Sequence, residues 1–215
     1  MFDAYLRDRA QRTGEPFIPF DPVKDYDEYV DGKPRADGVT SFLGSRGITL
    51  AEGQDDDPPS AETVHGLGNR KNEILLRRIR EDGVEAYPGS VTFVRAVKDA
   101  GMPRAVVSSS ANCRDVLIAA GIEDLFDARI DGVVAERDHL RGKPAPDTYL
   151  AGARALGLKP TAGAVFEDAL AGVAAGRAGG FGFVVGVDRA GQAQALREHG
   201  ADVVVTDLSE LMEHR

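Results

Sequence analysis

The sequence predicts an α/β fold, with a doubly wound, mostly parallel (Rossmann-like) sheet in its second half and a helical region before it. Three observations carry this. From about residue 86 onward, short β-branched runs alternate with amphipathic helical stretches, the grammar of βαβ units. The runs are continuously apolar rather than alternating, as in strands covered on both faces. Residues 1–82, by contrast, hold helical patterns and no convincing buried strand. A length of 215 residues suits one domain with an insert, and the change of pattern divides the chain into 1–82 and 83–215.

In order along the chain, helices are expected over 2–11, where Phe2, Tyr5 and Leu6 share a face, over 37–45, and over 60–80, where Val64, Leu67, Ile74, Leu75 and Ile79 approximate a stripe. Turn-rich loops separate them at 15–22 and 55–60. The acidic triplet Asp55-Asp56-Asp57 precedes a helix start, where carboxylates favour the helix dipole, and is read that way rather than as a cation site. Strands are expected over 105–108, 129–133, 164–167, 183–187 and 202–206. Helices are expected over 90–100, 114–120, 148–156, 169–178 and 192–199.

Composition narrows the function. Apolar residues at 42% and charged residues at 28% are ordinary for a globular chain. No run approaches the roughly 18 apolar residues of a membrane span, and MFDAYLRDRAQRTGE is charged from its third residue, unlike a secretory signal. The single cysteine, Cys113, cannot form an internal disulfide, so a reducing, cytoplasmic setting is expected. A formal charge of −9 argues against nucleic-acid binding. His65, His139, His199 and His214 are too scattered for a local zinc motif and read as surface or capping residues.

In a parallel sheet, ligands sit outside the carboxyl ends of the strands, and three segments there carry chemistry. Ser108-Ser109-Ser110-Ala111-Asn112 runs into a helix start, an arrangement that by itself reads first as a plain N-cap and second as a phosphate site. Lys143 lies in Arg141-Gly142-Lys143-Pro144-Ala145-Pro146-Asp147, a stiffened loop that can aim an ammonium at a phosphoryl group or simply form a surface turn. Glu167-Asp168 ends a strand, where acidic oxygens hold Mg²⁺ or where Asp168 caps the next helix.

Taken in this order, VVSSSAN, GKPAPDTYL and VFEDALAGVAAGRAG resemble the haloacid dehalogenase superfamily of phosphohydrolases and phosphomutases, most closely its β-phosphoglucomutase-like branch, over essentially the whole chain. The resemblance implies a Rossmann-like core under a helical cap formed by residues 1–82. It also implies a Mg²⁺ held by Glu167 and Asp168, and a transferring phosphoryl group held by Ser108, Ser109, Asn112 and Lys143. Of these, Lys143, Ser108 and Asp168 take part in the catalysis. In Val30-Asp31-Gly32-Lys33-Pro34-Arg35 and Arg70-Lys71-Asn72, the residues Gly32, Arg35, Lys71 and Asn72 would contact the substrate, with Arg35 on its distal phosphate. The implied activity is Mg²⁺-dependent phosphoryl transfer on a sugar phosphate, in its most concrete form the conversion of β-glucose 1-phosphate to glucose 6-phosphate. Neither nucleic acid, membrane nor an obligate protein partner is expected.

The resemblance also implies a first core strand ending in an Asp-x-Asp motif, whose first aspartate is the nucleophile and forms an aspartyl-phosphate. No Asp-x-Asp preceded by an apolar strand occurs ahead of the cap, and Phe2-Asp3-Ala4-Tyr5 lacks the second carboxylate and the strand. The first core strand is therefore expected to be missing from these residues. An upstream start, a fragment of an active enzyme and a non-catalytic phosphate-binding relative all remain open, as does hydrolysis of a small phosphomonoester instead of a mutase reaction.

Overall fold

A computed structural model describes residues 1–212, so His214 lies outside the described residues. Contacts divide the chain into a helical unit, Met1–Asp31 with Arg35–Asp82, and an α/β unit that begins at Gly83 and also takes in Gly32–Pro34.

The helical unit contains α1 (Phe2–Thr13), α2 (Lys24–Tyr29), α3 (Arg35–Ser45) and α4 (Val64–Asp82). Phe2, Tyr5 and Leu6 are buried on one face of α1, and the ring of Phe2 lies 4.5 Å from that of Phe42, so the shared face seen in the sequence becomes core. Val39, Phe42 and Leu43 of α3 and Val64 and Leu67 of α4 complete this core. The stripe expected along α4 does not persist. Its buried residues all lie in the first turns, while Leu75 is exposed. The helix begins at Val64 rather than 60 because Thr63 supplies the cap, its hydroxyl accepting the Gly66 N–H at 2.9 Å. Asp57 of the acidic triplet accepts from that hydroxyl at 2.6 Å, so it steadies the capping residue rather than acting directly on the helix dipole. Helix α2 has no counterpart in the sequence reading. Its six residues, Lys-Asp-Tyr-Asp-Glu-Tyr, are too short and polar to show a period.

The α/β unit runs α5 (Pro88–Asp99), β1 (Ala105–Val107), α6 (Cys113–Ala119), β2 (Ala128–Ile130), α7 (Gly132–Arg137), α8 (Asp147–Ala155), β3 (Ala164–Glu167), α9 (Leu170–Ala178), β4 (Phe183–Val187), α10 (Ala193–Glu198) and β5 (Val203–Val205). All strand pairs are parallel. The single sheet expected from the sequence is instead two among the described residues, one pairing β1 with β2 and the other in the order β3-β4-β5. β4 has a neighbour on each side and is buried on both faces, Val184 packing toward Val173 and Leu196, and Val185 toward Val205 and Leu208. Among the described residues, the other edges of β1 and β3 have no such neighbour. β1 is only half-buried and Phe166 of β3 is exposed, so the expectation of strands covered on both faces fails there.

The run expected over 129–133 also stops early, at Ile130. Asp131, 2% exposed, accepts the Val134 N–H at 3.0 Å and starts α7, while its other oxygen takes Arg129 Nε at 2.6 Å. Removing this carboxylate strips a cap and leaves a partly buried guanidinium with only the more distant Glu123, at 3.8 Å. Asp131→Ala is therefore expected to lower unfolding stability by about 2–4 kcal/mol. Urea unfolding checks this, and a loss below about 0.5 kcal/mol would contradict the role assigned to Asp131.

Candidate active site

The carboxyl ends of the strands collect the polar groups that the sequence singled out. β3 ends in Glu167, whose carboxylate is held by three donors. One oxygen accepts Lys143 Nζ at 2.7 Å and also the Tyr149 hydroxyl, and the other accepts the Ala169 N–H at 3.1 Å. Lys143 is 6% exposed, and its ammonium also lies 4.9 Å from the centre of the Tyr149 ring. Burial first, and then the Glu167 charge, push the Tyr149 hydroxyl well above its ordinary range. The phenol therefore stays protonated and donates.

Local sequence explains how Lys143 is aimed. The Arg141 guanidinium grips the Asp147 carboxylate at 2.8 and 3.0 Å, and the Ala145 N–H donates to the Gly142 carbonyl at 3.0 Å, closing the loop around the lysine at the start of α8. Tyr149 was not recognised from the sequence. Its position, two residues after Asp147 on the buried face of α8, was the available signal, since a buried phenol needs an acceptor.

The serine segment after β1 is folded onto itself. Ser108 Oγ accepts the Ser110 N–H and Ser110 Oγ accepts the Asn112 N–H, both at 3.1 Å. Asn112 is buried and makes no side-chain cap on α6. Ser109 donates to the Gly32 carbonyl at 2.7 Å. Gly32 has φ +70°, and a Cβ there would lie 2.9 Å from that of Ala169, so both its backbone conformation and its close approach require glycine. Gly32 thus ties the segments that follow β1 and β3.

Arg35, Lys71 and Asn72 come together in the helical unit. Arg35 donates to Asn72 Oδ1 at 2.9 Å and to Asn69 Oδ1 at 3.3 Å. Neither Arg35 nor Lys71 forms an ion pair among the described residues. Burial lowers the pKa of both, and for Lys71 the Arg35 charge adds to it. The Asp31 charge acts on Lys71 in the opposite sense, and two crowded cations that form no ion pair among the described residues suit an anion.

Several other carboxylates near these strand ends are engaged. Asp131 caps α7, Asp188 accepts the Gln192 and Ala193 N–H groups, and Asp207 binds Ser209. In the helical unit, Asp25 of the Asp25-Tyr26-Asp27 segment lies on α2 and pairs with Arg46. Asp168 differs, because its carboxylate has no side-chain hydrogen bond or ion pair among the described residues. It is reached by solvent but crowded by protein, and this crowding first, then the Glu167 charge, raise its pKa. A cation would relieve that repulsion. No cluster of three or more His, Cys, Asp or Glu side chains assembles among the described residues, but Mg²⁺ commonly takes one or two carboxylates and completes its shell with water and substrate oxygens. Asp168 fits such a site. Glu167 fits less directly, since Lys143, Tyr149 and the Ala169 amide already occupy its oxygens.

Residues 6–180 match the family model of haloacid dehalogenase-like hydrolases. The chain belongs to that family. The β-phosphoglucomutases of Mycobacterium bovis and Mycobacterium tuberculosis are each 59% identical over 99% of this chain and 82% of their own length. That of Bacillus subtilis is 32% identical over 90% of this chain and 78% of its own. The crystal structure of a Clostridium difficile β-phosphoglucomutase superposes with a TM-score of 0.72 at 25% identity, covering 97% of this chain and 86% of that one. The chain is therefore a haloacid dehalogenase-like hydrolase of the β-phosphoglucomutase branch. No helix among the described residues is long and apolar enough to cross a membrane.

Two predictions follow from the Glu167 clamp and from Asp168. Glu167→Gln leaves the buried Lys143 ammonium without a counter-charge and is expected to cost about 3–5 kcal/mol of stability. Tyr149→Phe removes one hydrogen bond to a charged group and should cost about 1.5–3 kcal/mol. Urea unfolding of both variants checks the order, and a Tyr149→Phe loss equal to or above that of Glu167→Gln would contradict it. For Asp168, a folded pKa above the unfolded value means that its favourable contribution is fully present below about pH 4 and is lost as pH rises through the folded pKa. Asp168→Asn should therefore raise the urea midpoint at pH 7, with the gain vanishing near pH 4. A gain independent of pH would rule out the charge as its cause.

Proposed function

We propose that this protein carries out, or contributes most of the site for, Mg²⁺-dependent phosphoryl transfer on a sugar phosphate, specifically the conversion of β-glucose 1-phosphate to glucose 6-phosphate. The 59% identity to the mycobacterial β-phosphoglucomutases supports the reaction. The observation that carries the chemistry is Lys143, a buried ammonium held by Glu167 in a stiffened loop.

In this reading the Lys143 ammonium neutralises charge on the phosphoryl oxygens, and the carboxylate and phenol behind it keep it from following the ligand into solvent. The Ser108 hydroxyl and the Asn112 amide would be the uncharged donors, and Ser109, whose hydroxyl is given to the Gly32 carbonyl, would serve by shaping the loop. Asp168, with Glu167 nearby, would hold Mg²⁺, which supplies positive charge against the phosphoryl group. Within the helical unit, Arg35, Lys71 and Asn72 form a cationic set that would suit an anionic group of the substrate, and the Arg35 fork suits phosphate geometry. Gly32 serves the substrate through the backbone, since it has no side chain to offer.

A second reading is favoured by the carboxylates near the strand ends: residues 1–215 bind the sugar phosphate without turning it over. Asp131, Asp188 and Asp207 are committed to caps and turns, and Glu167 to Lys143, which leaves Asp168 for the metal and none of these carboxylates free as nucleophile.

Calorimetric titration of the purified protein with β-glucose 1-phosphate and Mg²⁺ is expected to show saturable binding, and Lys143→Ala should weaken it about tenfold or more, the loss of one hydrogen bond to a charged group. An unchanged affinity in Lys143→Ala would remove the lysine from the site. A coupled assay for glucose 6-phosphate is expected to show negligible turnover by the 215-residue chain. Turnover at rates of about 1 s⁻¹ or above would mean that its nucleophile lies among these residues. Release of inorganic phosphate instead would favour the phosphatase.

A further inference from the structure

Arg35 is the first residue of α3, and the stem of its side chain lies against α4 at Gly68. Gly68 is buried. A Cβ at that position would come within 3.0 Å of Arg35 Cδ and 3.2 Å of Arg35 Cγ, and would meet nothing else outside its own helix within 4 Å. Glycine weakens a helix interior relative to alanine. What it provides at this position is the room that the arginine stem occupies.

One residue and one turn further along α4, two asparagines take up the guanidinium. Arg35 Nη1 donates to Asn69 Oδ1 at 3.3 Å and Nη2 to Asn72 Oδ1 at 2.9 Å. The Asn69 amide is itself oriented, because its Nδ2 donates to the backbone carbonyls of Asp55 and Asp57, each at 2.9 Å. A carbonyl only accepts, so the nitrogen faces that loop and the oxygen faces Arg35. The acidic loop therefore reaches Arg35 through its backbone and Asn69, not through a carboxylate. Both partners of the guanidinium are neutral acceptors. A carboxylate would fix it as well but would also offset its charge, whereas an amide oxygen fixes it and leaves the charge for a ligand. Of the five N–H groups of a guanidinium, the asparagines take two, and three remain for an anion.

We propose that Gly68 and Asn69 are positioning residues of the anion site in the helical unit: together with Asn72 they form a cradle on α4 that fixes the Arg35 guanidinium before the sugar phosphate arrives. A long, flexible side chain ordered only on binding weakens the complex, and one ordered in advance does not. This inference rests on the reading of Arg35 as the group that takes an anionic part of the substrate, and it assigns the residues that make Arg35 ready to do so.

Calorimetric titration of the purified protein with β-glucose 1-phosphate and Mg²⁺, run as double-mutant cycles, tests it. Gly68→Ala and Asn69→Ala are each expected to weaken binding about three- to tenfold, the effect of leaving one long side chain to be ordered by the ligand. In an Arg35→Ala background neither should change affinity by more than about twofold. Gly68→Ala also installs a better helix former, so its urea midpoint should hold or rise while its affinity falls, a split that general loss of structure would not give. Wild-type affinity in Gly68→Ala and Asn69→Ala, with Arg35→Ala weakened, would overturn the cradle and leave the reading of Arg35 intact. Losses that persist undiminished in the Arg35→Ala background would overturn it too. Wild-type affinity in Arg35→Ala would instead remove the arginine from the site, and the cradle's purpose with it. Nitrogen-15 spectra of the arginine side chains test the cradle without ligand, with Arg35 assigned by its loss in Arg35→Ala. Two separate Nη signals are expected in the unsubstituted protein, and a single averaged signal would overturn the proposal.

Discussion

Lys143 is a lysine that folding has removed from water, and the surrounding structure supplies its ammonium with partners. At 6% exposure it pairs with Glu167 at 2.7 Å, and Glu167 in turn is fixed by Tyr149 and by the Ala169 amide. These contacts link the loop before α8, α8 itself and the end of β3. On the function proposed above, phosphate binding would depend on one buried ion pair and on the helix and strand that bring its partners together. An isolated buried pair adds little net stability, so its value here lies in holding a charge at a defined place.

The backbone of the sheet imposes the second constraint. Parallel strands at the centre of such a sheet need a neighbour on each side and a helical layer on each face, and β4 satisfies both conditions. β1 and β3 each meet them on one side only, and the same two strands lead into the serine segment and the Glu167-Asp168 pair. The polar groups at the carboxyl ends are nonetheless tied through Gly32, whose positive φ and close approach to Ala169 leave no room for a side chain.

Much of this was legible in the sequence. Alternating apolar runs and amphipathic stretches located all five strands, and the residues following them proved to be the polar ones that gather. Three kinds of information were not legible. Short polar helices such as α2 have no period to detect, and α7 was hidden because Asp131 turns an apolar run into a cap. Pairing across the sheet is non-local, so β1 and β3 do not themselves tell which strands they meet, and the expectation of a missing core strand came from the resemblance alone. Finally, the motif residues were read as ligand groups, whereas several first serve the protein: Ser108 and Ser110 close a loop, Ser109 binds Gly32, and Glu167 holds Lys143. Tyr149 went unnoticed because a tyrosine on an amphipathic helix reads as core, which it also is.

The central claim is that the buried Lys143 ammonium is the group that meets the phosphate. Heteronuclear NMR of the lysine side chains during a titration with β-glucose 1-phosphate and Mg²⁺ tests it most directly. The account predicts that the Lys143 resonance shifts saturably with the ligand, and that in Tyr149→Phe the same resonance starts from a different position. Saturable binding that leaves the Lys143 resonance unmoved would contradict it.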